Sequence, residues 1–192
     1  MTRAVRFHRH GGPEVLALAD VAVGDPGPGE VRLRHTAIGL NFIDVYHRTG
    51  LYPVPALPSG LGGEAAGVVE AVGEGVTGIT VGQRVGYATF PHGAYAEARV
   101  VPAERLIPLP DGIDDVTAAA VLLKGMTAEY LIRRTYPVRA GDTVLFHAAA
   151  GGVGLLACQW LAHLGATVIG TVGSEAKAAI ARYPEGRQRS AV

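Results

Sequence analysis

The chain has 192 residues, 48% apolar and 18% charged, a balance that supports a buried globular core. Its 17 basic and 17 acidic side chains cancel, so charge makes no case for nucleic acid or an anionic membrane as partner. The single cysteine, Cys158, excludes an internal disulfide and a multi-cysteine zinc lobe, and no apolar run is long enough to span a bilayer.

Met1-Thr2-Arg3 leads straight into an alternating stretch that breaks at Gly11-Gly12-Pro13. That pattern predicts a strand and a turn, with no signal peptide, and a cytoplasmic protein is the expectation. Val15 to Val23 reads as a second extended run, and Glu30 to Ala37 alternates strictly, as a half-buried antiparallel strand does. Residues 39–50 mix apolar and polar groups and predict a short helix on an active-site loop. Pro53, Pro55 and Pro58 exclude regular structure until Gly62-Gly63-Glu64. Strands are expected at Ala65 to Val72, Arg84 to Ala88 and Tyr95 to Val101, the mark of a barrel-like all-β unit ending at Leu109-Pro110-Asp111-Gly112. From Asp114 to Tyr136 the chain turns Ala-rich with helical spacing.

The stretch from Asp142 to Gly165 dominates the second half. Val144, Leu145 and Phe146 read as a buried parallel strand, and Ala148 to Gly154 is a turn of small residues. Leu155 to Leu164 follows with helical spacing, and Thr167 to Thr171 is a second strand. The motif Ala148-x-x-Gly151-x-x-Gly154 is a relaxed dinucleotide fingerprint, with Ala for the first Gly. A helix N-terminus at such a turn offers free N–H groups to a pyrophosphate. Cys158 keeps helical register with Leu155 and Leu161 and reads as core. The fold class is therefore α/β, in two domains: 1–122, and 123–192 carrying the dinucleotide turn.

GLNFIDVYHRTGLYP, LPSGLGGEAAGVVE, LLKGMTAEYL and FHAAAGGVG closely resemble the zeta-crystallin-like NADPH:quinone oxidoreductases of the medium-chain dehydrogenase/reductase superfamily. The likeness runs in order from Met1 to about Arg182. It implies a GroES-like catalytic domain, a Rossmann cofactor domain and hydride transfer from NADPH to a quinone. The same hydride chemistry serves an enoyl reductase acting on a conjugated carbonyl, and some relatives are non-catalytic binding or structural proteins.

Zinc-dependent members of the superfamily place Cys where this chain has Asn41 and His where it has Gly63, and no Cys stands near Gly125. Asp44 and Glu64 alone cannot complete a zinc shell, so no metal is expected. A carbonyl would then be polarised by Asn41, Tyr46 and Tyr52, which by resemblance line the nicotinamide and substrate end of the cleft. Tyr46 also fits a helix-face core residue, Tyr52 a loop anchor, and His47 a solvated loop histidine. By resemblance Phe42, Ile43, Asp44, Val45, Tyr46, Thr127, Tyr130, Gly151, Gly152 and Val153 touch the cofactor. Lys124 fits either a cleft residue or a solvated helix lysine.

NAD enzymes usually close the second Rossmann strand with Asp or Glu. Here that strand is followed by Gly173, Ser174 and Lys177, a set that suits the 2′-phosphate of NADPH. After Arg182 the sequence leaves the family's pattern: Pro184 stops the helix, and a short polar tail is expected to Val192. Two strands of a six-strand Rossmann sheet are expected, and the family's pairing edge for homo-oligomers would fall in the missing part. On that reading these 192 residues alone do not sustain normal turnover.

Overall fold

The computed structural model describes residues 1–88 and 92–182, and the backbone of Gln188–Ala191. The chain divides into two compact units, Met1–Leu122 and Leu123–Val192.

In the first unit β1 (Thr2–Phe7), β2 (Leu16–Val21) and β4 (Ser59–Gly60) form one sheet in the order β2-β1-β4. The second sheet has β3 (Glu30–Gly39), β5 (Glu64–Val72), β6 (Arg84–Ala88), β7 (Ala98–Pro102) and β8 (Ile107–Pro108), ordered β7-β3-β5-β6-β8. A lone bridge from Ala4 to Ala96 links the two, so the expected barrel is realised as two sheets. β7 begins later than Tyr95, because Tyr95 and Ala96 turn toward β1: the Val5 N–H donates to the Tyr95 carbonyl at 2.7 Å. The proline-rich stretch yields β4, a two-residue strand antiparallel to β1.

β3 shows why alternation works. Val31 and Leu33 point into the core with Val69, Val85 and Tyr87, while Arg32 and Arg34 point outward to Glu70. β5 breaks the alternation at its start, where Glu64, Ala65 and Ala66 are all buried. It is central in its sheet, and Ala66 lies under Ala118 and Ala119 of α2 (Asp115–Glu129), so both faces are covered.

His35 on β3 is an acid-sensitive point of this unit. Its Nδ1 meets the Ala96 carbonyl at 2.6 Å and its Nε2 meets the Tyr87 hydroxyl at 3.0 Å. Burial, against that backbone bond and helped by Arg99, lowers the imidazole from 6.5 to about 4. The unfolded chain therefore binds the proton first. The contribution is complete above pH 6.5 and is lost as pH falls toward about 4, to a depth on the order of 2–3 kcal/mol. Urea midpoints of the native chain should fall over that window and those of His35→Gln should fall less; parallel pH profiles would exclude His35 as the cause.

In the second unit α2 runs into a π-helical turn, Tyr130–Thr135. Then come β9 (Thr143–Phe146), α3 (Gly152–His163), β10 (Thr167–Thr171), α4 (Glu175–Ala181) and β11 (Gln188–Ala191). The three strands are parallel, ordered β11-β10-β9. α3 buries Cys158 and Leu161 in one cluster with Val168, and burial raises the Cys158 thiol above its ordinary pKa.

Two expectations change here. The polar tail adds a third parallel strand to the two expected: Gln188–Ala191 pairs in register with Val168 to Thr171. A strand at a sheet edge is held by main-chain groups, so polar residues do not bar it. The run at Val144 to Phe146 is parallel but not fully buried, with Leu145 57% exposed, because among the described residues β9 has a neighbour on one side only. Also among the described residues, no helix is long and apolar enough to cross a membrane.

Candidate active site

Two clusters emerge, one in each unit. In the first, α1 (Phe42–Thr49) is capped by Asn41, whose main-chain N–H donates to Asp44 Oδ2 at 2.9 Å in a reciprocal capping box. Gly50 closes it at φ 84°, the left-handed conformation glycine favours.

α1 sorts its side chains by face. Phe42 and Tyr46, one turn apart, meet edge to face at 5.2 Å, and Tyr46 lies 5.2 Å from Tyr52. Phe42 is 69% and Tyr52 48% exposed, so this is an open aromatic face. The Tyr52 N–H donates to the Tyr46 carbonyl at 3.1 Å. Tyr52 is thus anchored through its backbone while its ring stays available, and Tyr46 is half-buried rather than core. Ile43 and Val45 are half-buried on the same helix.

The other face is polar and buried. His47, expected in solvent, is buried: its Nδ1 meets the Tyr52 carbonyl at 3.1 Å and its ring lies 3.9 Å from that of His92. Asp44 and His47 are three residues apart and so share one side of the helix. Burial, then the charges of His47 and Arg99, lowers His92 to about 4. Asn41 Nδ2 donates to Glu64 Oε2 at 2.7 Å, and the Tyr95 hydroxyl donates to Asp44 Oδ2 at 2.8 Å. Burial and Asp44 raise the Tyr95 hydroxyl well above its ordinary pKa. Glu64 and Tyr95 are the partners that sequence reading missed; the one available signal was a carboxylate inside the apolar run of β5.

The second cluster is built on β9, α3 and β10. Gly151 caps α3 without a side chain, which leaves the N–H groups of Gly152, Val153 and Gly154 clear of any capping group. The turn is tight: the Gly151 N–H donates to the Ala148 carbonyl at 2.8 Å, and Ala148 holds φ 54°. A Cβ on Gly154 would fall 2.4 Å from the Ala148 oxygen, so glycine is required there for the close approach. Lys124 lays its aliphatic stem over Gly152, with Cδ 2.8 Å from where a Cβ would sit. Its place is thus the glycine turn, which the sequence left open.

At the end of β10, Gly173 and Ser174 precede α4, and Ser174 Oγ accepts the Lys177 N–H at 3.3 Å. Ser174 and Lys177 are exposed and one turn apart. Because β9 and β10 are parallel neighbours, the glycine turn and this Ser–Lys pair both follow the carboxyl ends of their strands, the end of an open α/β sheet where ligands bind. Thr127 donates to the Leu123 carbonyl at 2.8 Å within α2, and Tyr130 opens the π-helical turn with its ring exposed. Among the described residues no three His, Cys, Asp or Glu side chains converge on a metal position.

Comparison with known proteins agrees with this architecture. Residues 27–111 match the alcohol dehydrogenase GroES-like domain. Over 182 residues the chain is 60% identical to a quinone oxidoreductase of Pseudomonas aeruginosa, covering 95% of this chain and 56% of that protein. Over 188 residues it is 53% identical to a 2-haloacrylate reductase of a Burkholderia species, again covering 95% and 56%. The crystal structure of Escherichia coli quinone oxidoreductase complexed with NADPH superimposes with a TM-score of 0.95 at 49% identity, over 98% of this chain and 58% of that one. The chain thus spans a little over half the length of these relatives. Over the residues it contains, it is similar to the quinone oxidoreductases, and its first unit carries the alcohol dehydrogenase GroES-like match.

Proposed function

We propose that this chain carries the carbonyl-polarising donors and the phosphate-binding turns of a zinc-independent, NADPH-dependent quinone reductase of the cytoplasm. Met1–Leu122 is its catalytic domain and Leu123–Val192 belongs to its cofactor domain. The observation that carries the reading is the glycine turn and the Ser174–Lys177 pair at the carboxyl ends of two adjacent parallel strands. The free N–H groups of α3 suit the pyrophosphate. Gly173, Ser174 and Lys177 suit a 2′-phosphate.

NADPH, when bound, supplies a hydride. Asn41, Tyr46 and Tyr52 donate hydrogen bonds to the quinone oxygens, and Phe42 gives the flat ring an aromatic surface. The residues at 42–46, with Thr127 and Tyr130, contact the cofactor. Hydride addition followed by protonation gives the hydroquinone, and the intermediate anion is stabilised by its own aromatic ring. Orienting donors therefore suffice, and no strong acid or metal ion is required.

A second reading has its own support. The 2-haloacrylate reductase of the Burkholderia species is 53% identical, against 60% for the Pseudomonas aeruginosa quinone oxidoreductase, and the same hydride would reduce a carbon–carbon double bond conjugated to a carboxylate. A version of the chain extended to its relatives' length decides between them. NADPH oxidation should depend on added quinone and be indifferent to chelator. Oxidation driven by 2-chloroacrylate and not by quinone would favour the second reading, and inhibition by chelator would overturn the zinc-free one.

A further inference from the structure

Glu64 is completely buried and Asp44 is 3% exposed, and both close on the same residue, Asn41. Glu64 Oε2 accepts one Asn41 Nδ2 hydrogen at 2.7 Å. Asp44 Oδ2 accepts the Asn41 main-chain N–H at 2.9 Å and the Tyr95 hydroxyl at 2.8 Å. A free asparagine amide has two nearly equivalent settings, related by a half-turn. Here the capping box draws the amide oxygen toward the first turn of α1, and Glu64 draws the nitrogen the other way. One setting survives, and it leaves a single amide hydrogen uncommitted.

The backbone is shaped to permit this. A Cβ on Gly39 would lie 2.3 Å from Glu64 Oε2, so any larger residue would push the carboxylate off Asn41. Gly62, at φ +86°, gives way to the Tyr95 ring, which would lie 2.4 Å from a Cβ there. Burying a carboxylate is costly even when it is hydrogen-bonded, and an apolar isostere often serves stability as well or better. Asp44 moreover leaves its Oδ1 without a partner among the described residues. Two such groups nonetheless converge on Asn41.

We propose that Glu64, and Asp44 braced by Tyr95, are positioning residues that hold Asn41 with its second amide hydrogen presented to the substrate carbonyl oxygen. The proposal rests on the reading of Asn41 as a carbonyl donor. It makes that donor pre-oriented, so that binding a quinone does not have to order it.

Asn41 is the only asparagine in the chain, so labelling with 15N-asparagine gives one side-chain amide signal pair for the 192-residue protein. One of its two hydrogens should exchange with water at least about tenfold more slowly than the other. Duroquinone should shift the faster one. In Glu64→Leu, which keeps an apolar filling, the slow hydrogen should lose its protection and the duroquinone shift should vanish. Glu64→Gln, which keeps an acceptor, should restore part of both. Equal exchange of the two hydrogens in the native chain would overturn the clamp, whatever the variants do. A protected hydrogen with no response to duroquinone would instead overturn the donor role and the quinone reading with it. A purely structural Glu64 would move melting temperature in Glu64→Leu while leaving the duroquinone shift intact.

Discussion

Gly154→Ala should cost the second unit about 3 kcal/mol and abolish NADPH binding. The added Cβ would fall 2.4 Å from the Ala148 oxygen, 2.7 Å from the Ala149 oxygen and 2.8 Å from the Ala149 carbonyl carbon. All three are backbone atoms of the turn, so no side-chain rotation relieves the clash. α3 would have to lift away from β9, taking with it Leu161 and Cys158, which are packed to near-zero exposure. The neighbouring glycines supply the control. A Cβ on Gly151 would stand 3.1 Å from the Ala148 oxygen, and one on Gly152 would meet only the flexible stem of Lys124. Both should cost about 1 kcal/mol or less. Ala148→Gly should go the other way, since φ 54° strains any residue with a Cβ. Urea unfolding followed with NADPH titration reads all four variants. Equal effects at Gly151, Gly152 and Gly154 would show that the turn is not shaped by contact with α3.

What the sequence disclosed, and what it withheld, follows from the range of the interactions. The strand, turn and helix from Thr143 to His163 were legible because each depends on neighbours within a few residues: an apolar run, small residues, a 3.6-residue spacing. The same holds for the cap at Ser174 and for α1 between Asn41 and Gly50. The buried network was not legible. Asn41 meets Glu64 across 23 positions and Asp44 meets Tyr95 across 51, and only the pairing of β3 with β5 and the turn of the 92–97 segment toward β1 bring them together. His47 shows the same limit: a histidine beside polar residues looks solvated until the helix face it occupies is seen to point inward. β11 was missed for the opposite reason. Its pairing is carried by the backbone, which leaves little trace in side-chain pattern.

Lys177→Ala should weaken NADPH binding by roughly tenfold and leave NADH binding unchanged. Ser174 and Lys177 stand at the head of α4, just beyond β10, where a carboxylate would select the ribose hydroxyl of NADH. Here the strand ends without one, and Glu175 lies past the Gly173-Ser174 turn, in the first turn of the helix. Ser174 Oγ already accepts the Lys177 N–H at 3.3 Å, so its hydroxyl hydrogen is the group left to donate to a phosphate oxygen. Lys177 adds the charge. A charge-assisted bond of this kind is worth about 1.5–3 kcal/mol, and the exposed position of Lys177 puts it at the lower end. The difference between the two cofactors should shrink as salt is raised, because an exposed pair is screened. Ser174→Ala should act in the same direction by a smaller factor, and it should also loosen α4 by removing its cap, typically about 1 kcal/mol. Titration of both cofactors against the native chain and the two variants, at low and high salt, separates these effects. If Lys177→Ala weakened NADH as much as NADPH, the lysine would be supporting the helix and not reading the 2′-phosphate.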